Sequence, residues 1–119
     1  MPTPTPHRGE LWWFDPDPVR GRELGRKVRP CLIISAEAVN TGPSEKVIVV
    51  PGTSQDHQIA SHVRFDYAWQ GKPVTTFFCC EDVRSISVER LGNRMAPKPV
   101  PTRITALVEQ WLKRLMDLP

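Results

Sequence analysis

The spacing of apolar and polar positions changes character along this chain. Glu10 to Phe14 predicts a first strand, which must stop at Asp15-Pro16-Asp17-Pro18 because proline cannot donate to a ladder. Cys31-Leu32-Ile33-Ile34 and Val47-Ile48-Val49-Val50 are short unbroken apolar runs bounded by turn formers, and predict the central strands of a small barrel or sheet. Between them, Ala36 to Val39 predicts one helical turn, ended by Asn40-Thr41-Gly42-Pro43. His62-Val63-Arg64-Phe65 alternates as a half-buried strand does, Gln70-Gly71-Lys72-Pro73 predicts a turn, and the run from Val74 to Cys80 predicts another strand. Ser87 to Met95 is long enough for one further short strand. The period then switches: Ile104, Leu107, Val108, Trp111, Leu112 and Leu115 recur at helical spacing, with Thr102 after Pro101 expected as the cap and Trp111 as a core anchor. The expected class is therefore mainly β with one C-terminal α-helix packed on the sheet.

Length limits the organisation to one domain, since 119 residues is close to the usual domain size and a second core would leave each half marginal. Thirteen prolines are many, but Pro2, Pro4 and Pro6 sit in the first six residues and Pro97, Pro99 and Pro101 in a five-residue stretch. They predict a flexible tail over residues 1–7 and a stiff connector to the helix, with the domain occupying 8–119. There is no signal-peptide pattern and no apolar run of about 18 residues, so a cytoplasmic, membrane-free protein is expected. Three cysteines, Cys31, Cys79 and Cys80, are odd in number and lack C-x-x-C spacing. No disulfide framework or zinc motif is indicated, no metal or cofactor is expected, and Cys79 and Cys80 read as buried small residues on opposite faces of a strand.

The charge narrows the partner. The net +3 is modest, but its 16 basic residues are 11 arginines and 5 lysines, and arginine suits forked contact with phosphate. Arg20, Arg22, Arg26 and Lys27 cluster in the loop after the first strand, where they can track the phosphates of an RNA, while Glu23 keeps the loop from being purely basic. Trp12 and Trp13 are strand neighbours, so one must face the interior while the other stacks on a base or covers a seam between subunits; Trp13 is the RNA-side candidate. His62 is the residue closest in character to a neutral-pH proton carrier, although a lone histidine on a half-buried strand reads first as structural.

Read in order, the chain gives Arg8-Gly9-Glu10-Leu11-Trp12-Trp13, Asp15-Pro16-Asp17-Pro18-Val19-Arg20-Gly21, Arg29-Pro30-Cys31-Leu32-Ile33-Ile34-Ser35, Val49-Val50-Pro51-Gly52-Thr53-Ser54 and Cys80-Glu81-Asp82-Val83-Arg84-Ser85-Ile86. With Arg90-Leu91-Gly92 after them, these segments resemble the MazF/PemK (Kid) toxin endoribonucleases of toxin-antitoxin systems, over residues 8 to about 116. The resemblance implies a compact SH3-like β-barrel with a C-terminal helix. It implies a homodimer that cuts single-stranded RNA, messenger RNA above all, at short sequences without a metal, leaving a 2′,3′-cyclic phosphate and a 5′-hydroxyl. It further implies a cognate antitoxin whose flexible acidic segment occupies the RNA groove, and DNA binding by the toxin-antitoxin complex.

Such cleavage requires a base for the ribose 2′-hydroxyl, an acid for the 5′-oxygen and stabilisation of charge on phosphorus. By resemblance the essential arginine is Arg29 and the essential threonine Thr53, and Glu81 stands where the family carries an aspartate. A guanidinium titrates too high for a ready base, so a carboxylate or an imidazole is preferred for the proton. Ser54, Gln55, His62, Arg84 and Trp13 complete the expected RNA contacts. The PemK branch carries an acid-base arginine where this chain has Cys79. Two other readings stay open at this point: a CcdB-type gyrase-binding toxin, which shares the fold, and a family member that binds RNA without cutting it.

Overall fold

The structure, a computed structural model, describes residues 5–16 and 28–119. Among them the chain runs β1 (Leu11–Phe14), β2 (Arg29–Ile33), α1 (Glu37–Asn40), β3 (Lys46–Thr53), β4 (His62–Trp69), β5 (Lys72–Cys79), β6 (Arg84–Ser87), β7 (Leu91–Arg94) and α2 (Thr102–Leu115). Single 3-10 turns at Cys80–Asp82 and Val88–Arg90 flank β6. All strand pairs are antiparallel, in the order β4-β5-β3-β2-β1-β7, with β6 on β3.

The organising strand is β3. One edge pairs with β2, while the other pairs with β6 over Lys46–Val49 and with β5 at Gly52 and Thr53. Pro51 sits at this change of partner. Backbone groups alternate in direction along a strand, and the Ile48 carbonyl accepts from Ile34 and Ser35 on the β2 side. Residue 51 therefore points its backbone between β6 and β5, where a missing N–H costs no ladder bond.

The unbroken apolar runs reflect burial on both faces of the central strands, with Ile48 the one exposed member. Trp12, Phe14, Cys31, Ile33, Val47, Val49, Ile86 and Val88 form one core inside the curl made by β1, β2, β3 and β6, which gives the barrel-like form without closing the sheet. Leu11, Leu32, Val50, Val63, Phe65, Phe78 and Cys80 form the other, which α2 covers with Ile104, Val108 and Leu112. The expected β class with a C-terminal helix is the observed one.

Several local expectations need correction. The short strand expected within Ser87 to Met95 is β7, but β6 ahead of it begins earlier, at Arg84, and a 3-10 turn separates the two. The turn at 70–73 is only Gln70-Gly71, both at positive φ (53° and 76°), the geometry of a two-residue hairpin turn that matches strand twist. That tight turn extends β4 to Trp69 and takes Lys72 and Pro73 into β5. Pro101, not Thr102, occupies the N-cap of α2, and no side chain caps it. The buried stripe of α2 is narrower than its periodicity: Leu107 and Leu115 are exposed, and Trp111 lies half-buried at the edge, under the Arg114 guanidinium at 5.1 Å from its ring centroid. Cys80 opens a turn instead of continuing the strand, although both Cys79 and Cys80 are buried. Within the presumed tail, Pro6 is fully buried and the His7 N–H donates to Glu10 Oε1 at 2.7 Å, so packing begins before Arg8.

Candidate active site

A groove of about 440 Å³ opens where β2, β3 and β5 converge, lined by Trp13, Val28, Arg29, Pro30, Gly52, Thr53, Ser54, Gln55, His57, Tyr67, Val74, Thr75 and Thr76. Register explains the meeting. Cys31 pairs with Pro51, so two residues back on β2 and two forward on β3 bring Arg29 level with Thr53. Thr53 in turn pairs with Phe77, which carries Thr75 and Thr76 to the groove along β5. Gly52 is required by proximity: a Cβ there would stand 2.3 Å from the Thr76 methyl.

The chemistry of the lining is one-sided. Arg29 is exposed, it has no ion-pair partner among the described residues, and no carboxylate lines the groove there. The Thr53 hydroxyl accepts from the Gln55 backbone N–H at 3.2 Å, which leaves its own proton for another acceptor. Thr76 Oγ1 and the Tyr67 hydroxyl share a hydrogen bond of 3.0 Å, which orients that wall. Trp13 packs edge-on against Trp69, with centroids 5.3 Å apart, while Trp12 is buried and its indole N–H donates to Glu10 Oε1 at 3.0 Å. The pair therefore divides as alternation requires, Trp13 to the groove and Trp12 to the interior.

Glu81 and His62 lie outside the groove lining, in a cluster at the far end of the β4–β5 ladder. Glu81 accepts from Ser61 Oγ at 2.6 Å and contacts His62 Nε2 at 2.6 Å. Burial would raise its carboxyl, but these two hydrogen bonds outweigh burial and hold it below the usual carboxylate range. The His62 ring is nearly buried, with Nδ1 lacking a partner among the described residues. Its ring centroid is 6.1 Å from that of His57, which does line the groove. Beside them, burial, with Glu81 and Asp82 adding to it, pushes the Cys79 thiol up to about 11, against a smaller opposite pull from Arg29.

Five expected residues thus share the groove: Arg29, Thr53, Ser54, Gln55 and Trp13. Arg84 stands on β6 opposite Val49 and does not line it. Arg20, Arg22, Arg26 and Lys27 lie outside the described residues. His57, Tyr67, Thr75 and Thr76 join the lining without having been singled out for it; only the strand register could have found the two threonines and Tyr67.

Over residues 7–116 the chain matches the family of PemK-like, MazF-like toxins of type II toxin-antitoxin systems. The chain belongs to that family. Among relatives of this toxin, endoribonuclease MazF9 of Mycobacterium tuberculosis is 33% identical over 116 residues, covering 93% of this chain and 96% of the relative. MazF (Form-I) of Deinococcus radiodurans superposes with a TM-score of 0.78 at 25% identity, over 96% of this chain and 98% of that one. The MazE-MazF complex (Form-II) of the same organism gives 0.80 at 22% identity, over 97% and 98%, which shows the shared fold. An endoribonuclease bound to its cognate antitoxin, from a mycobacterial species, gives 0.71 at 21%, over 97% and 96%. None of the described helices is long and apolar enough to cross a membrane.

Proposed function

We propose that this toxin is an endoribonuclease that cleaves single-stranded RNA by attack of the ribose 2′-hydroxyl on the adjacent phosphorus, without a metal, leaving a 2′,3′-cyclic phosphate and a 5′-hydroxyl. The observation that carries the reading is the groove in which Arg29, without a carboxylate partner among the described residues, stands level with Thr53. Arg29 clamps the non-bridging oxygens as a fork, and Thr53, its lone pair engaged by the Gln55 N–H, donates its proton to the same oxygens. Both contacts strengthen as charge builds on phosphorus, so they act on the transition state more than on bound substrate.

Proton transfer is assigned to His57 at the groove wall, backed by the series His62 and Glu81: the His62 ring stands edge-on to His57 with centroids 6.1 Å apart, and Glu81 contacts His62 Nε2 at 2.6 Å. His57 faces the substrate, while Glu81, which stands where the family carries an aspartate, acts one step back by orienting His62. The relatives' names support the activity, and the antitoxin complexes among the similar structures support a cognate antitoxin whose acidic segment competes with RNA for Arg29. A homodimer in the cytoplasm is part of the same reading.

The decisive experiment incubates the purified toxin with a long unstructured RNA in EDTA. Discrete fragments bearing cyclic phosphate are expected, and Arg29→Ala or Thr53→Val should lower the rate about 10²–10³-fold without changing thermal stability. His57→Asn should lower the cleavage rate while leaving the affinity for an uncleavable RNA unchanged, and Glu81→Gln should lower the rate by less. Intact RNA in the presence of folded toxin refutes the reading, and gyrase-dependent DNA breaks without RNA loss would replace it with the topoisomerase-directed alternative.

A further inference from the structure

Spacing along the chain offers no zinc motif, yet folding brings three unlike donors together at the end of the β4–β5 ladder. His62 and Cys79 are direct register partners, and the 3-10 turn at Cys80–Asp82 folds Glu81 back over them. One ligand atom from each, a ring nitrogen, Sγ and a carboxylate oxygen, lies within 4.8 Å of the other two. We propose that His62, Cys79 and Glu81 form a binding site for a borderline-soft divalent cation, Zn²⁺ first among them, with the fourth position left to solvent.

The donor set selects the ion. A thiolate with an imidazole and one carboxylate suits Zn²⁺ or Co²⁺ and disfavours Mg²⁺ or Ca²⁺, which take oxygen ligands. The geometry is within small adjustments of a tetrahedral site: metal bonds of about 2.0–2.3 Å place ligand atoms roughly 3.3–3.6 Å apart. A separation at the 4.8 Å limit must close by about 1.3 Å, and the His62–Glu81 contact of 2.6 Å must open by about 0.7 Å. Electrostatics favour a cation over the free thiolate. Glu81 and Asp82 bring two carboxylates near the Cys79 sulfur, and a divalent cation offsets the negative charge gathered there. On binding, the Sγ–H proton, now donated weakly to the Phe77 carbonyl at 3.6 Å, leaves for solvent as the metal–sulfur bond forms. The Glu81 side chain is about one-third exposed, which gives the ion an entry.

Occupation would take His62 and Glu81 out of the proton series, so Zn²⁺ should inhibit RNA cleavage. That consequence rests on the function proposed above, whereas binding does not. The test therefore reads binding first, without RNA. Titration of the full-length toxin with Co²⁺ should produce a thiolate-to-cobalt charge-transfer band saturating at about one ion per chain. The band should vanish in Cys79→Ser, weaken in Glu81→Gln and persist in Cys31→Ser, with tryptophan fluorescence reporting that each variant is folded.

In the second arm, Zn²⁺ at ten times its Kd leaves about one chain in eleven free, so cleavage should fall about tenfold. Cys79→Ser should cleave at the wild-type rate and ignore the ion. A wild-type toxin with no charge-transfer band, or a band that survives in Cys79→Ser, overturns the site. A band that forms while cleavage continues keeps the site and removes Glu81 and His62 from proton transfer.

Discussion

Replacing Gly52 by alanine tests whether the groove floor is as tight as the structure makes it. The added Cβ would lie 2.3 Å from the Thr76 methyl carbon and 3.3 Å from Pro30 Cγ, so the Thr76 methyl must retreat by about 1 Å to reach ordinary contact near 3.4 Å. Thr76 is 2% exposed and cannot swing into solvent. Rotating it also breaks its hydrogen bond with the Tyr67 hydroxyl, at about 1 kcal/mol, on top of about 2 kcal/mol for overpacking. With an unfolding entropy of about 250 cal/mol/K for a chain of this length, a total of about 3 kcal/mol lowers Tm by about 12 °C. Calorimetry at a fixed protein concentration reads this directly, since an oligomer's Tm depends on concentration. Adding Thr76→Ser removes the offending methyl and keeps the hydroxyl, so the two substitutions should couple favourably by about 2 kcal/mol. Additivity within about 0.5 kcal/mol would refute the close approach as the reason for glycine.

Two other outcomes follow from the same structure and one from the charge pattern of the sequence. Glu10 is buried, and hydrogen bonds from the His7 N–H, Trp12 and Arg94 outweigh the effect of burial to lower its pKa, so its stabilisation is complete above the unfolded value of about 4.3 and is lost as pH falls through the lower folded value; urea midpoints against pH should show Glu10→Gln with a flatter acid limb. Trp13→Ala should weaken single-stranded RNA binding roughly 5- to 150-fold, read by anisotropy on an uncleavable 2′-deoxy substrate, while an unchanged Kd would take Trp13 off the RNA path. Replacing Arg20 and Arg22 by glutamine should reduce the slope of log Kd against log salt by about 1.4 if each meets one phosphate of the single strand, and an unaltered slope would place them away from RNA.

A strand buried on both faces was legible because its residues are apolar throughout, as at Cys31–Ile33, and Val47–Val50 read the same way although Ile48 is exposed. The hairpin boundaries were less so, because Lys72-Pro73 carries turn composition while its conformation is set by Gln70-Gly71 alone. Arg84–Ser87 gave little signal, since one of its four residues, Ile86, is buried apolar and the strand exists through pairing with β3. In the groove, Arg29 and Thr53 were reached through motif order, which preserves residues at strand ends. His57, Tyr67 and Thr75 could not be reached, because their convergence depends on which strand follows which around β3. The cluster of His62, Cys79 and Glu81 was hidden for the same reason: its members are cross-strand neighbours far apart in sequence.

The manner in which the β4–β5 hairpin joins the rest of the sheet has a mechanical consequence. Its two strands pair with each other from His62–Cys79 to Trp69–Lys72, but its hold on β3 by register is confined to Gly52 and Thr53. Beyond those two residues the hairpin is held by its apolar face, where Val63, Phe65 and Phe78 share a core with Ile104, Val108 and Leu112 of α2. Groove width on the β5 side is therefore set jointly by a two-residue ladder that includes Thr53 and by the packing of a helix on the hairpin.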